Sequence, residues 1–498
     1  MPLILGTNSI KDTTFDVERS LRFDRGSSER LHFTQGSGDD ATARRKWTFS
    51  TWIKRAQLVN SSNHQYFFGV GTYTLIGFRL DGSGEADDMY IQVGTGSSAQ
   101  GLHTNAKFRD TSAWMHVYVA FDSTDGTATN RLKVYINGNL VDNAYGDYSQ
   151  DQRSSITQND EDDFVGNSGD VINIGYSTNG TNSYFDGYMA ETHLLIGTTK
   201  AHTEFGESNN DGIWIPKETN FSTSDYGSNG FKLEYKQTGT SANSSGLGAD
   251  TSGNNNHFTV SNLTSIDQTT DTPTNNYCTI NPLDNYYTGA TISEGNLKVV
   301  STNSNRGWNI GTIGVSQGKW YWEIKYVASG GSTPSDKWNH IGIADRGAES
   351  STDILGESNY QYSVFESDGK VYASSSSGTT YGAAFSTGDI VQVALDLDND
   401  NVYFGLNGQW GNGSGSWNQS SPSSAVSIQD PTGILNGFYF PAMGDGGVNV
   451  AKTWQANFGN PSFSISSGNS DGNSYGNFEY SVPSGYYALN TKNLAEYG

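Results

Sequence analysis

The sequence predicts an all-β protein: two antiparallel β-sandwich (jelly-roll) domains in tandem, joined by a polar connector. Three observations carry that prediction. Aromatic residues are plentiful, with 28 Tyr, 23 Phe and 11 Trp in 498 residues, and such side chains suit a pleated, half-buried surface. The 60 Gly and the long Ser/Thr/Asn runs supply turns. Apolar residues alternate with a period of two in several segments, and no convincing amphipathic helix appears.

Taken in order, residues 1–19 read as a short leader without a clear period. From 20 to 216 strand signals recur and define the first domain. Trp47 to Ile53 alternates. So does Trp114 to Asp122, with Met115, Val117, Val119 and Phe121 on one face and His116, Tyr118 and Ala120 on the other. Leu132, Val134 and Ile136 point inward on the next strand. Asn137-Gly138 then supplies the positive φ angles of a tight hairpin, and Leu140-Val141 starts the return. Residues 217–276 hold one strand-like stretch, Phe231 to Tyr235, within Ser/Thr/Asn/Gly sequence, and read as the connector. Strands return over 277–463, the second domain. Lys319 to Lys325 is one, and Val391, Val393, Leu395 and Leu397 alternate inward in another. Asn407-Gly408 marks a further hairpin. Residues 464–498 read as a C-terminal tail, and no heptad pattern provides a coiled-coil stem.

The charge balance narrows function. With 29 Lys+Arg against 52 Asp+Glu, the formal net charge is −23, and such a surface disfavours nucleic acid. The single cysteine, Cys278, excludes an intramolecular disulfide and a Cys-rich metal site. The first ten residues hold a three-residue apolar run, Leu3-Ile4-Leu5, and no basic region, so no secretory leader is predicted. No apolar stretch is long enough for membrane insertion.

Three segments carry a family resemblance in the first domain. "WTFSTWIKRA" (47–56), "WMHVYVAFDSTDGTATNRLKVYINGNLV" (114–141) and "INIGYSTNGTNSYFDGYMAETHLLIG" (172–197) resemble, in order and spacing, strands of laminin-G-like, concanavalin A-type jelly rolls. The resemblance implies a two-sheet sandwich that binds sugars, proteins or nothing. In the second domain, "GKWYWEIKY" (318–326), "WNHIGIAD" (338–345), "GDIVQVALDLDNDNVYFGLNGQW" (388–410), "FYFPAM" (438–443) and "WQANFG" (454–459) resemble a SPRY domain. That resemblance implies a non-catalytic sandwich whose loops bind partners. Its Gly/Ser-rich loops, 328–336 and 411–425, depart from the family, so no family peptide pocket carries over. "GADTSGNNNHFT" (248–259), "DTPTNNYCTINPLD" (271–284) and "YGNFEYSVPSGYYALNTKNL" (475–494) are similar to stretches flanking SPRY-like domains in structural proteins of tailed bacteriophages.

Catalytic signatures are sparse. Retaining glycosidases need two carboxylates about 5 Å apart, and no Glu-x-Asp-x-Glu strand motif is present. Glu161-Asp162-Asp163 reads as a solvated loop run whose removal should leave stability nearly intact. Two Gly-x-Ser-x-Gly matches at 468–476 lack the strand and helix that a nucleophile elbow requires. Asp396-x-Asp398-x-Asp400 resembles the start of a calcium loop, but Asn401 stands where the loop needs Gly and no Glu follows at the twelfth position, so it reads as a hairpin turn. Calcium on acidic loops of the first domain is left open, with no ligands assigned and no other cofactor expected. His116 reads as structural.

The candidate contact residues are Trp338, Tyr381, Trp410 and Trp417, in the loops 328–339, 374–382 and 409–424. Exposed aromatics on flexible loops give contact area at modest entropic cost. The sequence therefore predicts a non-enzymatic virion structural or recognition protein, such as a tail fibre or other surface fibre, assembled in the host bacterial cytoplasm. Its expected partners are other virion proteins and a host-surface glycan or protein, and a homo-oligomer is expected. A secreted or cell-surface lectin or adhesin, and a glycan-cleaving enzyme on a concanavalin-type fold, are the alternatives.

Overall fold

The computed structural model describes residues 15–58, 64–79, 86–95, 98–141, 151–180, 183–285, 287–329, 336–447 and 449–498. The chain divides between Thr274 and Asn275 into two compact units. Each is a sandwich of antiparallel sheets, as the two-residue period predicts.

In the first unit, strand Lys46–Arg55 pairs with Met115–Asp122 on one side and Gly187–Ile196 on the other. The sheet continues through Leu132–Ile136 to Asn139–Leu140 on one flank, and through Ser20–Phe23 to Gln268–Thr269 on the other. The second sheet runs Thr259–Ser261, Arg30–Thr34, Val171–Ile174, Gln65–Val70, Thr74–Phe78, Asp88–Thr95 and Ser98–Lys107. Phe49, Val117, Val119 and Phe121 from the first sheet pack with Phe67, Phe68, Ile76 and Ile91 from the second. The Phe49 and Phe68 rings lie 4.4 Å apart. Asn137 and Gly138 take φ of 47° and 74°, as the predicted hairpin needs.

The second unit has a larger sheet in the order Thr291–Ser293, Lys298–Val300, Lys452–Asn457, Lys319–Ser329, Ile390–Asp396, Asn401–Leu406, Gln409–Gly411 and Trp417–Gln419. A five-stranded sheet runs Gly307–Ile310, Phe440–Asp445, Asn339–Ala344, Gln361–Phe365 and Val371–Ala373. Trp320, Trp322, Ile324 and Trp454 join Ile341, Val364, Val393 and Phe404 in one buried cluster. Because strand side chains alternate, Tyr321 and Glu323 face the other side of the same sheet.

Two segments differ from the sequence expectation. Residues 217–274 are part of the first sandwich rather than a connector. Phe231–Leu233 pairs with Thr192 to Leu194, Thr259–Ser261 with Arg30 to His32, and Gln268–Thr269 with Ser20 and Leu21. These strands are two or three residues long, too short to show a period. Turns between them are built by side chains: Asp250 accepts from the backbone N–H groups of Lys232, Ser252 and Asn256, all at 2.9 Å. The Arg22 guanidinium meets Asp267 at 3.1 Å in a buried pair. Residues 1–14 of the expected leader lie outside the described residues, and Val17 is bonded to Thr274 within the first unit.

Residues 464–498 likewise are no loose tail. Phe478, Tyr486 and Ala488 are buried against Tyr321, Ala394 and Trp410 on the outer face of the larger sheet. Glu323, fully buried there, accepts from the backbone N–H groups of Glu479 and Tyr480 at 3.0 and 2.8 Å, and from the Tyr321 hydroxyl at 2.9 Å. Burial pushes its carboxyl up to about 7. Tyr487–Ala488 adds a parallel strand, and helix Thr491–Tyr497 follows, its first turn capped by Asn490, which accepts from the Asn493 N–H.

Candidate functional site

Of the four predicted contact residues, the structure brings two together. Tyr381 and Trp417 meet edge-on, with ring centroids 5.9 Å apart. Tyr381 is 4% exposed and so forms the floor of the site rather than a free platform. Its hydroxyl donates to the Ser424 carbonyl (3.0 Å) and accepts from the Phe404 N–H (3.1 Å). Burial pushes its phenol up to about 12. Trp417 is half-buried, and its indole N–H donates to the Ala383 carbonyl at 2.7 Å. The indole lies flat on the chain at Gly382, where a Cβ would come within 2.2 Å of the ring.

A cleft of about 330 Å³ opens over this floor, lined by Val371, Ala373, Thr380, Tyr381, Ser424 and Val426. Its walls are the outermost strand of the five-stranded sheet, Val371–Ala373, and the short strand Val426–Ser427 on the larger sheet. The predicted loops 374–382 and 409–424 therefore do converge. Lining by Thr and Ser hydroxyls over an aromatic floor suits a neutral polar group.

The other two residues lie elsewhere. Trp410 is 3% exposed and packs under residues 464–498 with Tyr321 and Phe478, so it is a core residue. Sequence reasoning missed this because residues 464–498 read as a tail that covers nothing. Trp338 is half-buried against Phe365 (5.8 Å), with the Arg306 guanidinium 5.8 Å over its ring. Residues 330–335 of its loop lie outside the described residues.

The acidic run 161–163 is a correction. Asp162 is fully buried and accepts from Trp47 Nε1 (3.0 Å), Thr74 Oγ1 (2.9 Å) and the N–H groups of Phe164 (2.9 Å) and Val165 (3.1 Å). Burial pushes its carboxyl up to about 6. Glu161 turns outward to Arg44 and Arg45. Adjacent side chains of the run thus diverge, and one of them enters the core rather than solvent.

His116 sits in the first unit, sandwiched between Trp52 and Trp214 at 5.0 and 6.0 Å. Burial pushes its imidazole down to about 3, so the ring is neutral. Trp214 Nε1, which can only donate, bonds Nδ1 at 3.1 Å. The ring proton therefore sits on Nε2 and is donated to Ser50 Oγ at 2.8 Å. A nucleophilic serine needs the opposite polarity, with the imidazole accepting. Nearby, Glu191 occupies a bulge in strand Gly187–Ile196 at φ 46°, 3.7 Å from His193 and 3.9 Å from Lys232. This charged cluster carries no sequence signature beyond the residues themselves.

In the second unit, Asp396 accepts from Lys319 Nζ at 2.8 Å and Asp398 from the Gly318 N–H at 3.1 Å, while Asp400 takes φ 53°. These are turn and strand-pairing roles. Among the described residues, no group of three His, Cys, Asp or Glu side chains is placed to hold a metal.

Comparison with known proteins matches the two units separately. Residues 26–198 match the concanavalin A-like lectin/glucanases superfamily, and residues 319–419 match the SPRY domain. Over 91 residues, 18% of this chain, it is 29% identical to Ran-binding protein 9 of Danio rerio and 30% identical to Ran-binding protein 9 of Homo sapiens. That stretch covers 14% and 12% of those relatives' own lengths. Among solved structures, the SPRY domain of human HERC1 covers 36% of this chain and 96% of that one at 13% identity, with a TM-score of 0.26. A putative carbohydrate binding protein from Bacteroides ovatus covers 49% of this chain and 58% of that one at 14% identity, with a TM-score of 0.31. The chain thus carries a concanavalin A-like domain at residues 26–198 followed by a SPRY domain at residues 319–419.

Proposed function

We propose that this chain is a non-catalytic recognition protein of a bacteriophage particle, a tail fibre or other surface fibre. Its two domains point to binding or recognition. The observation that carries the reading is the cleft over Tyr381, built where the loops 374–382 and 409–424 converge on a buried aromatic floor. Recognition sites are commonly placed on loops that a rigid scaffold displays. The resemblance of residues 248–259, 271–284 and 475–494 to stretches of bacteriophage structural proteins supports the virion assignment. So does a single-cysteine composition, compatible with assembly in a bacterial cytoplasm. On this reading the partners are other virion proteins and a host-surface glycan or protein, and the working form is a homo-oligomer.

Two measurements test the reading. Purified particles of the source virus should contain the chain at a fixed stoichiometry, seen by mass spectrometry and located by electron microscopy. Trp417→Ala and Thr380→Tyr should weaken binding of the pure protein to host cells while leaving the second unit folded, as a cooperative melt would show. Normal binding by both variants, with full binding by the first unit alone, would make the second unit an assembly module. Depolymerisation of surface glycan by the pure protein would favour the enzyme alternative.

A further inference from the structure

Among the described residues, several buried ion pairs of the first unit are made by arginine, such as Arg22 with Asp267 and Arg55 with Asp87. A guanidinium stays protonated and is no nucleophile. Lys54 is different. Its Nζ lies 2.7 Å from Asp271 Oδ2, with side-chain exposures of 1% and 0%. Other lysine–carboxylate contacts among the described residues are longer, as for Lys452 and Asp445 at 3.7 Å, or are made by a more exposed lysine, as for Lys319 at 29%.

The surroundings of this pair distinguish the two carboxyl oxygens. Oδ2 faces the amine, while Oδ1 accepts from Trp114 Nε1 at 2.9 Å. The Tyr188 ring lies 5.3 Å from Nζ and packs on Trp114 at 6.2 Å, so two aromatic rings flank the pair. The Asp271 backbone is held on both sides: its carbonyl accepts from Ser20 Oγ at 2.5 Å, and its N–H donates to Thr269 Oγ1 at 3.1 Å. An amine and a carboxyl carbon kept in contact, with a fixed N–H donor on the oxygen where charge would develop, form an arrangement for acyl transfer.

We propose that Lys54 and Asp271 join as an intramolecular amide. The ammonium passes a proton along the hydrogen bond to Oδ2. Nζ then attacks Cγ, and the negative charge collects on Oδ1 against the Trp114 indole N–H. Oδ2 takes a second proton from the nitrogen and leaves as water. One C–N bond forms, one C–O bond breaks, and no oxidant or co-reactant is consumed. The link closes a loop between residues 217 positions apart and ties the central strand Lys46–Arg55 to the segment that ends the first unit. Closing so long a loop restricts the unfolded chain in the way a disulfide does.

The test is the intact mass of the full-length chain, measured after denaturation. The expected mass is one water below the sequence value. A tryptic digest should yield the Lys54 and Asp271 peptides covalently joined. Lys54→Arg keeps the charge and should restore the full mass and separate the peptides. Trp114→Phe keeps the ring, removes the donor and should lower the linked fraction. A wild-type chain with the full sequence mass would overturn the proposal. So would a water loss that persists in Lys54→Arg, since that would place the dehydration elsewhere, for example at an Asn-Gly step.

Discussion

Residues 217–274 and residues 464–498 are alike in composition, both polar and rich in Gly, Ser and Asn, yet each is ordered in its own way. The first segment joins its sandwich by pairing: three short strands extend existing sheets, and Phe231, Leu247 and Phe258 enter the core. The second adds one two-residue strand and a few buried side chains, and carboxylates also capture its backbone donors. Glu323 takes the N–H groups of residues 479 and 480, and Asp471 takes those of Asn473, Tyr475 and Ala488. A segment with few apolar residues can therefore be fixed either by lending its backbone to a sheet or by lending it to buried carboxylates. In the second case each anchor is one side chain, and so a single substitution can test it.

The largest effect is expected from deleting residues 464–498. This uncovers Tyr321, Ala394 and Trp410 and strips Glu323 of its backbone donors, so the second unit should lose its cooperative thermal transition. A truncated unit that still melts sharply would show the segment to be a passenger. Next, Trp322→Ala should cost about 3–5 kcal/mol as the loss of a fully buried aromatic, read from chemical denaturation. It sets the scale against which the clamp is judged.

Glu323→Ala should cost about 3 kcal/mol, because it leaves two backbone N–H groups and a tyrosine hydroxyl without their acceptor. The same residue has a pH signature. Its carboxyl is raised from 4.5 to about 7 on folding, so the folded state binds a proton that the unfolded state has released. The resulting stabilisation is fully present below pH 4.5 and is lost as pH rises through 7. On this account the second unit should weaken by on the order of 3 kcal/mol from Glu323 between about pH 4 and pH 8. Glu366, raised to about 7, and Asp445, raised to about 6, act in the same direction. Glu323→Gln should remove only its own share of the slope. An unchanged slope would assign the pH dependence to the other two.

The smallest contrast lies within the acidic run of the first unit. Asp162→Ala should cost about 2–3 kcal/mol, since it orphans an indole, a hydroxyl and two backbone donors. Glu161→Ala and Asp163→Ala should stay within about 1 kcal/mol, as partly exposed charges. Equal effects from all three would return the run to the solvated loop first read from the sequence.

These contrasts also mark what the sequence could reveal. Strand Met115–Asp122 and the Val391 to Leu397 stretch were legible because inward residues repeat every second position. The Asn137-Gly138 and Asn407-Gly408 turns were legible because those residues tolerate positive φ. Both sandwiches follow from such signals. The two polar segments were not legible, because strands of two or three residues have no period and a clamp such as Glu323 sits far away in sequence. Asp162 was hidden for a related reason: its donors come from residues 47, 74, 164 and 165, and nothing in a three-residue acidic string distinguishes the inward carboxylate. At the candidate site, the loops were legible from their Gly/Ser content. The split of their aromatics into floor, core and rim was not, because it depends on which way each loop folds back.

The pairing that closes each unit carries a further consequence. In the first, Ser20 lies opposite Thr269 and Val17 is bonded to Thr274; in the second, Tyr277 bridges to Asn490. Chain entry and exit are thus neighbours in both folds, which makes each unit a cassette. Such a cassette can be spliced into a surface turn of another protein with little disturbance to the host. It can also be rewired: joining residues 17 and 274 by a short linker and reopening the first unit at the Asn137-Gly138 hairpin should yield a circular permutant with the same core.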